Sequence, residues 1–176
     1  MGNPAYCISA TVSTIIERRP ADTFDWFVEL DISRVLNGYG PLPAVEQTLN
    51  QTGRWTTPGE TRDLQMSRGI TARQEILICE KPRFFAYRVS GFAHILDLMA
   101  WGAEARWWFE EVSDGRTRLT WRYTFWPRSR IAQIAMYPVI STIWTGYMQK
   151  TIELMRRFAE SDAPAVDGHA NTSGHG

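Results

Sequence analysis

Arg73 and Glu75 stand two residues apart in a β-patterned stretch, so they share one face of a strand. On a concave face they would form a polar pair in an apolar cavity, able to orient a carbonyl or to act as acid and base. On a convex face they would be a solvated pair worth little. Ile70, Ala72, Ile76 and Ile78 occupy the opposite parity, which favours the convex placement. Tyr87 and Tyr123 share parity with apolar neighbours, so their hydroxyls need a partner once buried: a ligand oxygen, a backbone carbonyl or water. Thr151 falls in the middle of an apolar helix face, where its hydroxyl either bonds back to its own helix or meets a cavity. His94 and Asp97 lie three apart in the long link between two strands. The weak catalytic candidates are therefore Arg73, Glu75, Tyr87 and His94.

Other chemistries lack their residues. There is no Gly-x-Ser-x-Gly elbow, and Gly38-Tyr39-Gly40 runs into Pro41, which breaks a dinucleotide loop. No Cys/His spacing suggests zinc; His169 and His175 sit in a polar tail, so neither a metal nor a cofactor is expected. Two cysteines, Cys7 and Cys79, make no disulfide framework. Nineteen basic residues balance nineteen acidic ones, which argues against a nucleic-acid binder and against a polybasic membrane anchor. No apolar run reaches a membrane span, so stable membrane insertion is not expected, and no signal peptide is visible. A cytoplasmic location follows as an expectation; monomer and homodimer both stay open.

The elements that must position these side chains follow from periodicity. Residues 6–16 are β-branched and read as a strand. Pro20 opens a short helix, and Asp31 caps a second short turn over 32–36. The Gly- and Pro-rich segment 37–43 is expected to be a structured loop. Strands follow at about 45–53, 60–68, 70–80, 83–92, 102–113 and 116–126, with turns at Arg68-Gly69, Lys81-Pro82 and Asp114-Gly115. Joined this tightly, they are antiparallel neighbours. Ala103, Ala105, Trp107, Phe109, Leu119, Trp121, Tyr123 and Phe125 alternate onto the inner face, and Glu104, Arg106, Trp108, Glu110, Thr120, Arg122 and Thr124 onto the outer. A final amphipathic helix carries Trp144, Tyr147, Met148 and Met155 on one face, with a kink or break expected at Pro138. The fold class is α+β: a seven-stranded curved antiparallel sheet wrapped around a long C-terminal helix, with two short helices after the first strand. One domain is expected over 1–162, with a disordered tail over 163–176.

The element order, with Gly38-Tyr39-Gly40-Pro41-Leu42-Pro43, Arg73-Gln74-Glu75, Tyr87-Arg88-Val89-Ser90-Gly91-Phe92, Gly115-Arg116-Thr117-Arg118-Leu119-Thr120-Trp121 and the Trp144-x-x-x-Met148 helix, resembles the helix-grip fold of the START and birch-pollen-allergen superfamily (SRPBCC). Within it the chain looks most like bacterial polyketide cyclase/dehydrase-like proteins, over roughly residues 7 to 160. The resemblance implies a ligand cavity between sheet and helix; it does not imply a reaction.

Eight Trp, eight Phe and six Tyr suit either a thick core or an apolar pocket wall. The leading expectation is binding, or transport, of an apolar or aromatic small molecule such as a lipid or polyketide. The lining would be Tyr87, Trp107, Trp121, Tyr123, Trp144, Tyr147, Met148 and Thr151. Two alternatives stand beside it: a polyketide cyclase or dehydratase, and a regulatory or interaction module with a vestigial cavity. A pocket below ~300 Å³ would speak for the last of these.

Overall fold

The computed structural model describes residues 6–91 and 98–162. Its strands are β1 (Ile8–Ile16), β2 (Asn37–Tyr39), β3 (Leu42–Leu49), β4 (Thr61–Met66), β5 (Ile70–Glu80), β6 (Phe84–Ser90), β7 (Ala100–Val112) and β8 (Arg116–Pro127). They form one antiparallel sheet in the order β1-β8-β7-β6-β5-β4-β3-β2. The helices are α1 (Pro20–Glu29), α2 (Arg130–Val139) and α3 (Thr145–Ser161). A 3₁₀ turn over Ile32–Arg34 follows α1, with Asp31 accepting from the Ser33 N–H at 3.0 Å. This is the helix-grip architecture, with the curved sheet closed over α3.

The turns follow the residue chemistry. Asp114 and Gly115 sit at φ +67° and +72°, and Arg68 and Gly69 at +67° and +69°. Paired left-handed residues of this kind match the twist of the strands they join. The sheet has one strand more than the seven expected. Asn37 and Tyr39 pair with Ala44 and Leu42, so the 37–43 segment is a hairpin and not a loop. Gly38 and Gly40 supply its positive φ values. Pro43 removes no ladder bond, since it falls between the two positions paired with β2 and the pairing with β4 begins only at Val45.

Alternation places the β7 and β8 aromatics inside. Trp107, Phe109, Leu119, Trp121, Tyr123 and Phe125 are all buried. Phe24 and Phe27 of α1 close one end of the core against Phe85 and Phe109, and Phe27 also packs on Trp107. Thr117 anchors the entry to α1, bonding the Arg18 carbonyl at 2.6 Å and meeting the Thr23 hydroxyl at 3.1 Å. The outer face departs from expectation at Glu104, which is buried. It pairs with Arg106 and stands across from Arg88 on β6. A bulge between Ile76 and Ile78 turns Ile78 outward, although it shares parity with Ile76 in the sequence.

Pro138 does not break the last helical run. It lies inside α2, and one π-helical turn over Ile140–Trp144 absorbs the irregularity before α3 begins. The carbonyl of Pro138 accepts from the Thr142 hydroxyl at 2.6 Å, and that of Ile140 from the Thr145 hydroxyl at 2.9 Å. Tyr147, Met148, Thr151, Ile152, Met155 and Ala159 form the buried face of α3. The β2–β3 hairpin is tied to this helix, since Lys150 donates to the Gly38 carbonyl at 3.0 Å. Tyr39 lies over Gly146, where a Cβ would meet its hydroxyl oxygen at 2.7 Å.

Candidate functional site

Between the concave face and α3 lies an apolar cavity of about 140 Å³. Leu64, Ala72, Tyr87, Val89, Trp121 and Tyr123 form its sheet wall, and Trp144 and Tyr147 its helix wall. Half-buried Leu42, Pro43, Met66 and Ile70 mark its outer end, under the β2–β3 hairpin. Behind Tyr87 and Trp121 lies a second void of about 30 Å³. Leu36, Tyr87 and Trp121 border both.

The two voids differ in chemistry. The larger is lined mostly by hydrocarbon and aromatic rings, with Gln74 as its one amide side chain among the described residues; Trp144, also in its wall, has a buried Nε1 without a partner. The smaller is lined by Arg62, Tyr87, Trp107, Trp121 and Thr151 among apolar residues. Of these, Trp107 Nε1, Trp121 Nε1 and Thr151 Oγ1 are buried with no hydrogen-bond partner. Trp107 and Trp121 stack at 4.5 Å with planes 10° apart.

Arg62 is 6% exposed. It comes from β4, in the inward parity it shares with Leu64. Its Nε donates to Gln74 Oε1 at 2.7 Å across the β4–β5 ladder. Its guanidinium lies over the Trp55 ring at 4.0 Å. No carboxylate forms an ion pair with it among the described residues; Asp31 acts on it only through longer-range Coulomb attraction. Burial lowers its pKa to about 10, opposed by Tyr87 and Asp31, so it remains a cation at neutral pH. Trp55 reaches this place through an uncommon backbone, with φ at +63°. The Glu60 carboxylate fixes the turn beside it, accepting from the Thr56 and Thr57 N–H groups at 2.8 and 3.2 Å. Burial pushes the Glu60 carboxyl up, but these amides with those of Trp55 and Arg54 outweigh it and hold the pKa below the usual range.

Burial raises the Tyr87 hydroxyl pKa, opposed by Arg62 and by the Trp107 and Gln74 side chains beside it; Trp107 Nε1 lies near enough to act on Tyr87 without meeting hydrogen-bond geometry. Burial likewise lifts Tyr123 well above the ordinary value, and lifts Tyr147. All three are neutral phenols at physiological pH, suited to hydrogen bonding and not to acting as bases.

The sequence-derived candidates separate as follows. Tyr87 and Trp121 border both voids; Tyr123, Trp144 and Tyr147 line the larger; Trp107 and Thr151 line the smaller. Met148 lines neither; on the buried face of α3, it packs into the hydrophobic core. Arg73 and Glu75 lie outside the cavity: Arg73 is exposed and pairs with Asp63 at 3.7 Å, and Glu75 shares that outer face. His94 falls outside the described residues, as does its neighbour Asp97. The sequence reading missed Arg62, Gln74 and Trp55. The signal was present: Gln74 lies between Ala72 and Ile76 on the inward parity, and Arg62 leads Leu64. No Asp, Glu or His lines either void among the described residues, and none of those residues forms a cluster of ligands fit for a metal ion.

Comparison with known proteins agrees with this geometry. The family profile described as polyketide cyclase / dehydrase and lipid transport matches residues 8–160. No curated protein matches the sequence. Among solved structures, Ara h 8.0201 is similar at TM-score 0.63 and 14% identity, covering 89% of this chain and 99% of that one. Ginseng major latex-like protein 151 from Panax ginseng is similar at TM-score 0.65 and 10% identity, over 88% and 99%. Norcoclaurine synthase from Thalictrum flavum, solved with dopamine and hydroxybenzaldehyde, is similar at TM-score 0.64 and 10% identity, over 90% and 89%. At these identities the likeness is one of fold. No helix among the described residues is long and apolar enough to cross a membrane.

Proposed function

The chain belongs to the polyketide cyclase / dehydrase and lipid transport family, and we propose that it is a binding protein for a small apolar or aromatic molecule held between sheet and helix. The observation that carries this is the apolar cavity of about 140 Å³ between Trp121, Tyr123 and Trp144. A void of this size in a close-packed interior is a specific feature. An apolar cavity of roughly 150 Å³ is known to stay dry and to accept benzene. The volume suits a guest of one ring or an equivalent short chain. It is below the ~300 Å³ that a lipid or polyketide-sized guest would need.

Binding is placed above catalysis for a chemical reason. A cyclase or dehydratase must move protons, and the candidate pair for this, Arg73–Glu75, lies on the outer face of the sheet. The small volume favours a second reading, a regulatory module whose cavity is a remnant. A size series decides between them. Benzene, toluene, indole and naphthalene are titrated by ligand-detected NMR against the wild type and Ala72→Leu, which fills the cavity. Binding predicts saturation by the single-ring probes and at least a ten-fold loss in Ala72→Leu. No saturable binding by any probe, or binding indifferent to Ala72→Leu, would favour the remnant.

A further inference from the structure

Arg62 is the least conventional charge in the molecule. A buried guanidinium without a carboxylate bears a desolvation cost that one glutamine oxygen and one indole face only partly offset. Two devices nevertheless hold it in place: Gln74 across the ladder, and Trp55 in a left-handed backbone conformation unusual for so large a residue. Trp107, Trp121 and Thr151 also line this void, and the indole Nε1 atoms and the Oγ1 of these residues are buried without a partner. The void therefore has a buried cation in its wall and, among the described residues, no anion beside it. Its 30 Å³ holds about two waters, or the head of a carboxylate.

Resting on the binding reading above, we propose that the ligand is a small carboxylic acid whose carboxylate sits in this void against Arg62 while its ring-sized apolar body fills the larger cavity. Tyr87 and Trp121, which border both spaces, mark the junction a spacer would cross. A carboxylate presents two oxygens to a planar fork of N–H donors, the pairing a guanidinium favours most. An ammonium head would be repelled. A neutral ring without an acceptor would leave the buried guanidinium without an anion.

The test uses benzoate, phenylacetate and 3-phenylpropanoate, each beside its primary amide, with 3-phenylpropylamine as the cation. They are titrated calorimetrically at pH 7 against wild type, Arg62→Met and Arg62→Lys. The spacer series finds the separation between the voids. The expected result is that the best acid binds the wild type at least about 30-fold tighter than its amide, and that the amine does not bind. Arg62→Met should bring acid and amide to equal affinity, and Arg62→Lys should recover part of the preference. Amides binding as well as acids in the wild type would overturn the carboxylate while leaving the cavity reading intact. An acid preference that survives in folded Arg62→Met would overturn it too. If neither acids, amides nor toluene bind, both readings fall. Should Arg62→Met fail to fold, the acid-to-amide ratio in wild type and Arg62→Lys decides alone.

Discussion

Two neighbouring rungs of the β4–β5 ladder carry an arginine each to opposite surroundings. On the outer rung Asp63 faces Arg73, and on the inner rung Arg62 faces Gln74. The outer pair is neutral, solvated and loosely made, at 3.7 Å with Arg73 more than half exposed. The inner pair is charged, buried and closely made, at 2.7 Å. One step along the chain reverses the face. A surface arginine needs no partner, since water supplies one. An interior arginine that lacks a carboxylate is either a liability or a receptor for one, and the inner rung is built to hold that charge in place.

The contrast can be broken in order of size. Trp55→Ala removes the ring beneath the inner guanidinium along with a buried aromatic, and should cost about 3–5 kcal/mol in denaturant unfolding. Gln74→Leu leaves the Arg62 Nε without its acceptor and should cost about 1–3 kcal/mol. Adding Arg62→Met to Gln74→Leu should restore most of that loss, because an apolar pair needs no acceptor. A double variant no more stable than Gln74→Leu would show that the guanidinium is not the strained partner. Glu60→Gln acts on the turn that carries Trp55, and its effect is confined by pH. The Glu60 pKa is lowered on folding, so its contribution is full above the unfolded carboxylate value and is lost as pH falls through the lower folded one. The gap in melting temperature between wild type and Glu60→Gln should be open at pH 7 and close under strong acid. Arg73→Ala, on the outer rung, should change stability by no more than about 0.5 kcal/mol and leave ligand binding untouched.

Much of this was legible from the residues. Asp114-Gly115 gives the hairpin, the alternation from Ala103 to Phe125 gives the inner wall, and the Trp144 to Met155 spacing gives the helix face. The bulge after Ile76 could not be read, since it depends on pairing with β6 and leaves no mark in the local pattern. The β2–β3 hairpin was obscured because Gly and Pro forbid a central strand but not an edge one. Arg62 and Gln74 were overlooked for a different reason: they share parity with Leu64 and with Ala72 and Ile76, but a polar side chain in a strand is ordinarily a solvated one. Met148 shows the reverse error. An apolar helix face is wider than the cavity it borders, so a residue on it can be core and nothing else.

The central claim is that the ligand spans the two voids, and the indole N–H resonances read it directly. Nuclear magnetic resonance spectra of the ¹⁵N-labelled protein, with tryptophans assigned by Trp→Phe variants, are recorded as the tightest-binding acid is added. Trp107 and Trp121, which line the small void and whose Nε1 atoms lack partners, should shift and saturate together. The exposed Trp101 should stay in place. Saturation at Trp144 alone would put the guest in the larger cavity with no head at Arg62. Movement of Trp101, with Trp107 and Trp121 fixed, would contradict the account.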